Sequence, residues 1–492
     1  MRTVSHWING KPVEDGVQRH PVTDPSTDTI VAEVWLAGDA IADSTIDAAA
    51  AAADAWANTN MSKRAHVLFR FRDLLLANKD ELAQLITTEH GKTLDDATGE
   101  IMRAAESVEL ACGGPALAHG ITSLQTGPNI DTRSMMHPVG ICLGITPFNF
   151  PVMMGLMMVS VSLAAGNTFI WKPSEQDPGA SIRIAELFQE AGLPDGVLNV
   201  VHGQQDVVNR LIDDPRTQAL SFVGSSDVAH ILYQRTAAAG MRCQAFGGAK
   251  NHMVVMPDAD LDTVADQLTS SAFGAAGQRC MAISVAVVVG DVYDQLLERL
   301  TPRAEAVRMN AGVVAGTEVG PVVSRKAQQR IQELVETGIA DGATAVVNRS
   351  REQVPGYENG YFVGPTILAG LPIDSAAYVQ EIFGPVLVVL NVDTLDEAIA
   401  LIKNHRYGNG ASIFTNNGSA ANQFTREATA GMVGVNVAIP VPVATYAVQG
   451  WKDSVYGDTG LNNASWTFYT RPKYVTSRWE TNAGMDFGFR PN

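Results

Sequence analysis

The chain has 492 residues, 46 % of them hydrophobic and 18 % charged, a globular composition long enough for about two or three domains. Its 35 basic against 52 acidic residues give a net charge of −17, which phosphate backbones repel, so nucleic acid is excluded as a general partner. Four widely spaced cysteines, Cys112, Cys142, Cys243 and Cys280, form no CxxC and no Cys/His ligand cluster; this excludes a disulfide scaffold and a zinc finger, no metal is expected, and a reducing, cytoplasmic setting fits.

The N-terminus, Met1 to Trp7, lacks the apolar core of a signal peptide. His6 to Val13 reads as a hairpin around Asn9-Gly10. Alanine- and leucine-rich sequence from Ala48 to Ala77 and on to about Ala118 predicts two or three helices. From Gly140 the pattern alternates at βαβ spacing: Ile141–Ile145 as strand, then an apolar helix in Phe150 to Gly166. That run is short of the ~20 residues of a membrane span and contains Ser160 and Ser162, so no membrane partner is expected. Next come a strand at Phe169 to Trp171, a helix at Ser181 to Ala191, a strand at Val197 to Val201, a helix near Val207 to Ile212, and a strand at Ala219 to Val223 running into Gly224-Ser225-Ser226-Asp227. A mostly parallel sheet follows. After Gly247-Gly248 a second α/β region has strands at Met253–Met256, Val285–Val289 and Val386–Val392. Phe468 to Thr470 and Tyr474 to Thr476 read as isolated strands outside either core, as in an oligomerisation arm.

Four places can carry chemistry. In Phe273-Gly274-Ala275-Ala276-Gly277-Gln278-Arg279-Cys280, a pliable loop brings a thiol toward the surface beside Arg279, whose charge favours the thiolate. Cys112, Cys142 and Cys243 sit in apolar stretches and read as structural. Ile145-Thr146-Pro147-Phe148-Asn149 lies where a strand gives way to a helix, the ligand edge of an open sheet, where an Asn amide can meet a developing oxyanion. At the next strand end, Lys172 and Glu175 can grip a ribose, and Glu175 would repel a 2′-phosphate; Gly224-Ser225-Ser226 starts a helix suited to a pyrophosphate. There is no GxGxxG at these positions.

The order of Pro147-Phe148-Asn149, Lys172-Pro173-Ser174-Glu175, Phe222-Val223-Gly224-Ser225, Gly247-Gly248, Gly277-Gln278-Arg279-Cys280 and Glu381-Ile382-Phe383-Gly384-Pro385 resembles the aldehyde dehydrogenase superfamily over nearly the whole chain. The resemblance implies two Rossmann-like α/β domains plus a small β oligomerisation arm. The NAD-binding domain would span 1–120 and 137–246, the catalytic domain 247–440, and the arm 121–136 and 455–480. It implies Cys280 as nucleophile and Asn149 with the Cys280 N–H as oxyanion hole. Cofactor contacts would come from Thr146, Phe148, Lys172, Glu175, Gln176, Ser225, Gly247, Glu381 and Phe383, with NAD preferred over NADP through Glu175. A homodimer or homotetramer is implied.

One departure narrows the reading. Hydrolytic members carry a Glu two residues before the Gly-Gly pair; here that position is Ala245. Without this base, water loses help worth ~10²–10⁴-fold, whereas a thiol acceptor needs less. Gln244-Ala245-Phe246-Gly247-Gly248-Ala249-Lys250-Asn251-His252, Arg279-Cys280-Met281-Ala282, Ile439-Pro440-Val441-Pro442 and Gly99-Glu100-Ile101-Met102-Arg103 are similar to the methylmalonate-semialdehyde dehydrogenase family, the CoA-acylating branch. That resemblance implies methylmalonate or malonate semialdehyde as substrate, coenzyme A as co-substrate, and Arg103 and Arg279 as the forks that bind the substrate carboxylate. The rivals are a hydrolytic NAD-dependent dehydrogenase of another anionic aldehyde, a sulfonated one included, and a non-catalytic paralogue, against which Cys280, Asn149 and Glu381 together argue. Tyr446 to Lys452 and Gly460 to Trp466 depart from the family pattern and leave the exact aldehyde open.

Overall fold

A computed structural model of the chain describes residues 2–457 and 460–479; Met1, Asp458, Thr459 and Glu480, which the expected domains include, lie outside them. Among the described residues, one eight-stranded sheet runs Val455–Tyr456, Arg242–Phe246, Thr217–Val223, Ile141–Ile145, Thr168–Lys172, Leu198–Val200, His6–Ile8, Lys11–Val13. The five central strands are parallel. The edge strands are antiparallel, because hairpins and returns feed them. The strand at Val455–Tyr456, assigned to the arm from sequence, thus completes this sheet instead.

The second sheet has seven strands in the order Thr344–Asn348, Thr366–Ala369, Val386–Val392, Ile283–Val289, Asn251–Val255, Gly410–Phe414, Met432–Val435. All its pairs but the first are parallel. Val285 to Val289 and Val386 to Val389 are buried throughout, the continuous apolar run expected of strands covered on both faces.

Before the first sheet, the predicted two or three helices are four long ones and a single turn: Asp39–Ala57, Met61–Ala77, Lys79–His90, Leu94–Cys112 and Gly114–Leu117. The extra breaks are capped. Asn60 accepts from the Lys63 N–H, and Thr93 from the Asp96 N–H. A three-stranded sheet of Arg2–Val4, Thr29–Leu36 and Gln18–Asp24 had no counterpart in the sequence reading.

The apolar run at Phe150 to Gly166 forms the buried helix Met153–Ala165. Among the described residues, no helix is long and apolar enough to cross a membrane, and no His, Cys, Asp and Glu group could hold a metal.

The tail differs from expectation. Phe468 ends a helical turn, Ser465–Phe468, and Tyr469 is fully buried in the core under the first sheet. Its hydroxyl lies 2.6 Å from the Ser221 hydroxyl. Only then does one long strand, Thr470–Arg478, leave to pair with Ile130–Pro138, which also pairs with Thr122–Gly127. A buried phenol with a hydroxyl partner explains why this segment belongs to the core rather than to an isolated strand.

Candidate active site

Among the central strands the order reverses between Ile141–Ile145 and Thr217–Val223, and a crevice for ligands opens at such a point. Thr146 leaves the first strand with its N–H donating to the Lys172 carbonyl (3.1 Å) and its hydroxyl accepting from the Trp171 indole (2.8 Å). Asn149 follows, 5 % exposed, and its side-chain amide donates to the Gln278 carbonyl at 3.1 Å, two residues before Cys280. The Asn149 carbonyl accepts from the ammonium of Lys92 at 2.5 Å. Lys92 also donates to Glu100 at 2.8 Å, and the other Glu100 oxygen accepts the Val152 and Met153 N–H groups at 2.8 and 3.0 Å. Both charged side chains are inaccessible, so the pair is held by complementary bonds rather than by solvent.

Cys280 approaches from the other half. The helix Leu261–Phe273 ends, and Ala275 (φ 50°), Ala276 (φ 52°) and Gly277 (φ 68°) turn the chain in the left-handed region. Two amides then hold the Cys280 carbonyl, from Asn251 and Asn409, each at 3.0 Å. Cys280 is partly exposed, and burial and then the neighbouring Glu381 charge push its thiol up to about 11. The expectation that Arg279 favours the thiolate is corrected in balance. Arg279 does pull the thiol down, but it is the smallest of the contributions. Its guanidinium is engaged in an ion pair with Asp96.

Glu381 accepts the Ala249 N–H at 2.9 Å, and burial lifts its carboxyl to about 7. Phe383, two residues on, has φ 58°, a strained value for an aromatic residue, and meets the edge of the Phe148 ring at 5.9 Å. Phe148 in turn lies 5.9 Å from the buried His90 ring.

Along the first sheet's edge, Lys172 donates to Glu175 at 3.0 Å. Burial raises the Glu175 carboxyl, and Lys172 more than offsets this, leaving it below its usual range. The Gln176 N–H donates to Ser174. Ser225 is exposed at the start of the helix Ser226–Ala238 and makes no side-chain capping bond, so the first-turn N–H groups stay open. Gly247 donates to the Ser454 carbonyl, and Gly248 to the Ser226 hydroxyl at 2.7 Å. Ala245 is fully buried in its strand, opposite Phe222 and Tyr456.

The structure brings Cys280, Asn149, Glu381, Phe148 and Phe383 to one junction between the halves. Arg103 is tied elsewhere along the helix Leu94–Cys112: to Glu106 at 2.7 Å and to the Val441 and Pro442 carbonyls at 3.3 Å each. The segments that depart from the family pattern form short pairings, Ala447–Val448 with Leu461–Asn462 and Trp451–Lys452 with Tyr407–Gly408. Sequence reading missed Lys92, Glu100, Asn251, Asn409 and Asp96. Glu100 and Asn251 lay inside stretches already marked, Gly99 to Arg103 and Gln244 to His252, while Lys92, Asn409 and Asp96 carried no signal.

A half-buried thiol beside an amide-bearing loop, at the junction of two largely parallel sheets, is an arrangement able to form a cysteine adduct with a carbonyl. The chain belongs to the aldehyde dehydrogenase family, which it matches over residues 13–475. It is 48 % identical over 488 residues to malonate-semialdehyde dehydrogenase of Pseudomonas aeruginosa, covering 99 % of this chain and 98 % of the relative. It is 45 % identical over 460 residues to the acylating, mitochondrial methylmalonate-semialdehyde dehydrogenase of Arabidopsis thaliana, covering 93 % and 76 %. The structure of methylmalonate-semialdehyde dehydrogenase from Oceanimonas doudoroffii superposes with a TM-score of 0.97 at 45 % identity, over 98 % of this chain and 99 % of that one. A Sinorhizobium meliloti protein complexed with NAD matches equally well, at TM-score 0.97, 44 % identity and the same coverage.

Proposed function

We propose that this chain is an NAD-dependent, CoA-acylating dehydrogenase of malonate semialdehyde or methylmalonate semialdehyde. The observation that carries the acylating half is Ala245: the position of the hydrolytic base is a buried alanine inside a strand. An alanine takes no proton, so a thioester on Cys280 waits for a thiol that is a better nucleophile than unassisted water. The relatives of like name, and the NAD held by one of them, support the substrate and cofactor.

The residues present fit a dinucleotide. The open helix start at Ser225 suits a pyrophosphate, and Glu175 at the strand end suits a ribose diol once Lys172 shares it. When bound, NAD⁺ supplies the hydride acceptor. Cys280 Sγ bonds to the aldehyde carbon and its proton leaves. Asn149 Nδ2 and the Cys280 N–H steady the oxygen that gains charge. In this structure the Asn149 amide donates one of its two N–H groups to the Gln278 carbonyl. Glu381 and Phe383 position the nicotinamide end, with Phe148 against it. In a malonyl thioester the bond to the carboxylate then breaks, its electron pair enters the thioester as an enolate, CO₂ leaves and water returns a proton. CoA thiol takes the acyl group and frees Cys280. Arg103 and Arg279 bind the substrate carboxylate. We further propose the two-domain division at about residue 246, a β arm that joins copies in a dimer or tetramer, and a cytoplasmic setting.

One observation keeps the hydrolytic reading testable: Glu381, lifted to about 7, is a poised carboxylate close enough to raise the Cys280 thiol. NADH formation from malonate semialdehyde, followed with and without CoA, separates the two. Multiple turnovers only with CoA, giving acetyl-CoA, are expected. Steady turnover without CoA, giving free acid, overturns the acylating assignment.

A further inference from the structure

The helix Leu94–Cys112 carries an acid for each arginine proposed to bind the substrate carboxylate. Arg103 is paired with Glu106, and Arg279 with Asp96. Asp96 and Arg103 are seven residues apart, so they share a face of that helix. Asp96 is built into place: its N–H donates to Thr93 Oγ1 at 3.1 Å, and its second oxygen accepts from the Thr93 hydroxyl at 3.2 Å. The reach of Arg279 is also built. Its guanidinium lies over Gly274, where a Cβ would stand 2.6 Å from Nη1 and 2.9 Å from Cζ.

Asp96 and Arg279 line an open cavity of about 540 Å³ whose wall also carries Asp95, Asp266 and Glu318. The other cation there, Arg303, is already bound by Asp262 at 3.0 Å and Asp266 at 2.6 Å. Arg279 also borders the small cavity that holds Cys280 and Glu381. A carboxylate arriving at the thiol therefore meets an Arg279 that is already paired, and competes with Asp96 for it.

We propose that Asp96 is the resting counter-ion of Arg279, a positioning residue that the substrate carboxylate displaces and that reclaims the guanidinium when that carboxylate leaves as CO₂. This rests on the reading of Arg279 as a carboxylate binder. It removes a conflict in that reading: a carboxylate clamped by two arginines is held back from decarboxylation, whereas an exchange between two carboxylates of like strength leaves it free to go. Arg279 itself faces one carboxylate before, during and after the step, and the displaced Asp96 is left to the Thr93 hydroxyl and the open cavity.

The test uses the full-length enzyme with malonate semialdehyde and, as uncharged comparator, propanal. A partly exposed ion pair is worth a factor of about two to five in binding. Asp96→Asn is expected to lower KM for malonate semialdehyde by about that factor, to leave KM for propanal unchanged, and to slow CO₂ release relative to the NADH burst in a single turnover without CoA. Asp96→Glu, which restores the charge, is expected to return both readouts toward wild type. Gly274→Ala, which pushes Arg279 off its seat, is expected to follow Asp96→Asn in KM. An unchanged or raised KM for the anionic aldehyde in Asp96→Asn, or an equal shift for propanal, overturns the proposal. Arg279→Gln separates the two failures. If it keeps the preference for the anionic aldehyde, the reading beneath is wrong; if it loses that preference while Asp96→Asn is silent, only the role of Asp96 is wrong.

Discussion

Lys92 and Asn149, 57 residues apart, are joined by a buried ammonium donating to a main-chain carbonyl at 2.5 Å, and Glu100 balances that ammonium from behind. The peptide that carries the proposed oxyanion donor is therefore fixed by an ion pair that never meets water. Removing one charge leaves the other buried and unpaired, at a cost of about 3–5 kcal/mol. Lys92→Met is expected to lower the melting temperature sharply. Lys92→Met with Glu100→Leu is expected to recover much of that stability but not kcat, because the clamp on Asn149 is still missing. Thermal melts and kcat on the three proteins check this; recovery of both together assigns the pair a structural role only.

Burial and Glu381 keep Cys280 protonated in the free enzyme. Its alkylation by iodoacetamide, read by peptide mass spectrometry, is expected to rise about tenfold per pH unit from 7 to 10. Glu381→Gln removes the adjacent charge and is expected to move that profile to lower pH. An unmoved profile means that Glu381 does not sense the thiol.

The same carboxyl gives a stability signature. Its folded value, about 7, stands above its ordinary 4.5. Across that interval the folded state holds a proton that the unfolded chain has lost, so this group's contribution to stability declines as pH rises. Between pH 5 and pH 8, wild type is expected to lose more melting temperature than Glu381→Gln. An equal loss in both removes Glu381 from the account.

Glu175 meets Lys172 where a ribose diol would lie, and its charge opposes a 2′-phosphate. Glu175→Gln is expected to raise kcat/KM with NADP⁺ about tenfold or more while lowering it with NAD⁺, measured as NADH or NADPH formation. A wild-type preference for NADP⁺ overturns the assignment.

Ahead of Cys280, Ala276 sits in the left-handed region at a cost that glycine does not bear, and a Cβ at Gly277 would run into the Gly384 carbonyl. Ala276→Gly is expected to be neutral or stabilising by about 1 kcal/mol. Gly277→Ala is expected to abolish activity and lower the melting temperature, and chemical denaturation with a parallel activity assay compares the two.

The parallel strands were legible because two-sided burial writes itself as short apolar runs, as in Ile141–Ile145 and Ile283–Val289. The motifs around Asn149, Lys172 and Ser225 were legible because each sits where a strand gives way to a loop, and the one around Cys280 because glycines flank the turn before it. What sequence could not give were partners far along the chain. Asp96 reads as an ordinary acid in a first helical turn, and its bond to Arg279 spans 183 residues. Lys92 and Glu100, eight apart, read as solvated charges until the fold encloses them. In the sheet of Arg2–Val4, Gln18–Asp24 and Thr29–Leu36, only the last strand alternates clearly between buried and open positions, and its short or polar partners carry little apolar pattern. Tyr469 looked like part of a projecting strand because nothing local announces that Ser221, 248 residues earlier, awaits its hydroxyl.

That last contact sets an order of events during synthesis. The first sheet takes one antiparallel edge from the hairpin of His6–Ile8 and Lys11–Val13 and the other from Val455–Tyr456, and its core is plugged by Trp466, Phe468 and Tyr469. A chain emerging from the ribosome cannot close this sheet until Tyr456 is free. The first sheet, though it begins at His6, is then last to be sealed, while the seven-stranded sheet between has all its strands in hand by Val435. A nascent chain halted before residue 455 carries an open sheet edge and an uncovered apolar core, the form of the molecule most in need of a chaperone.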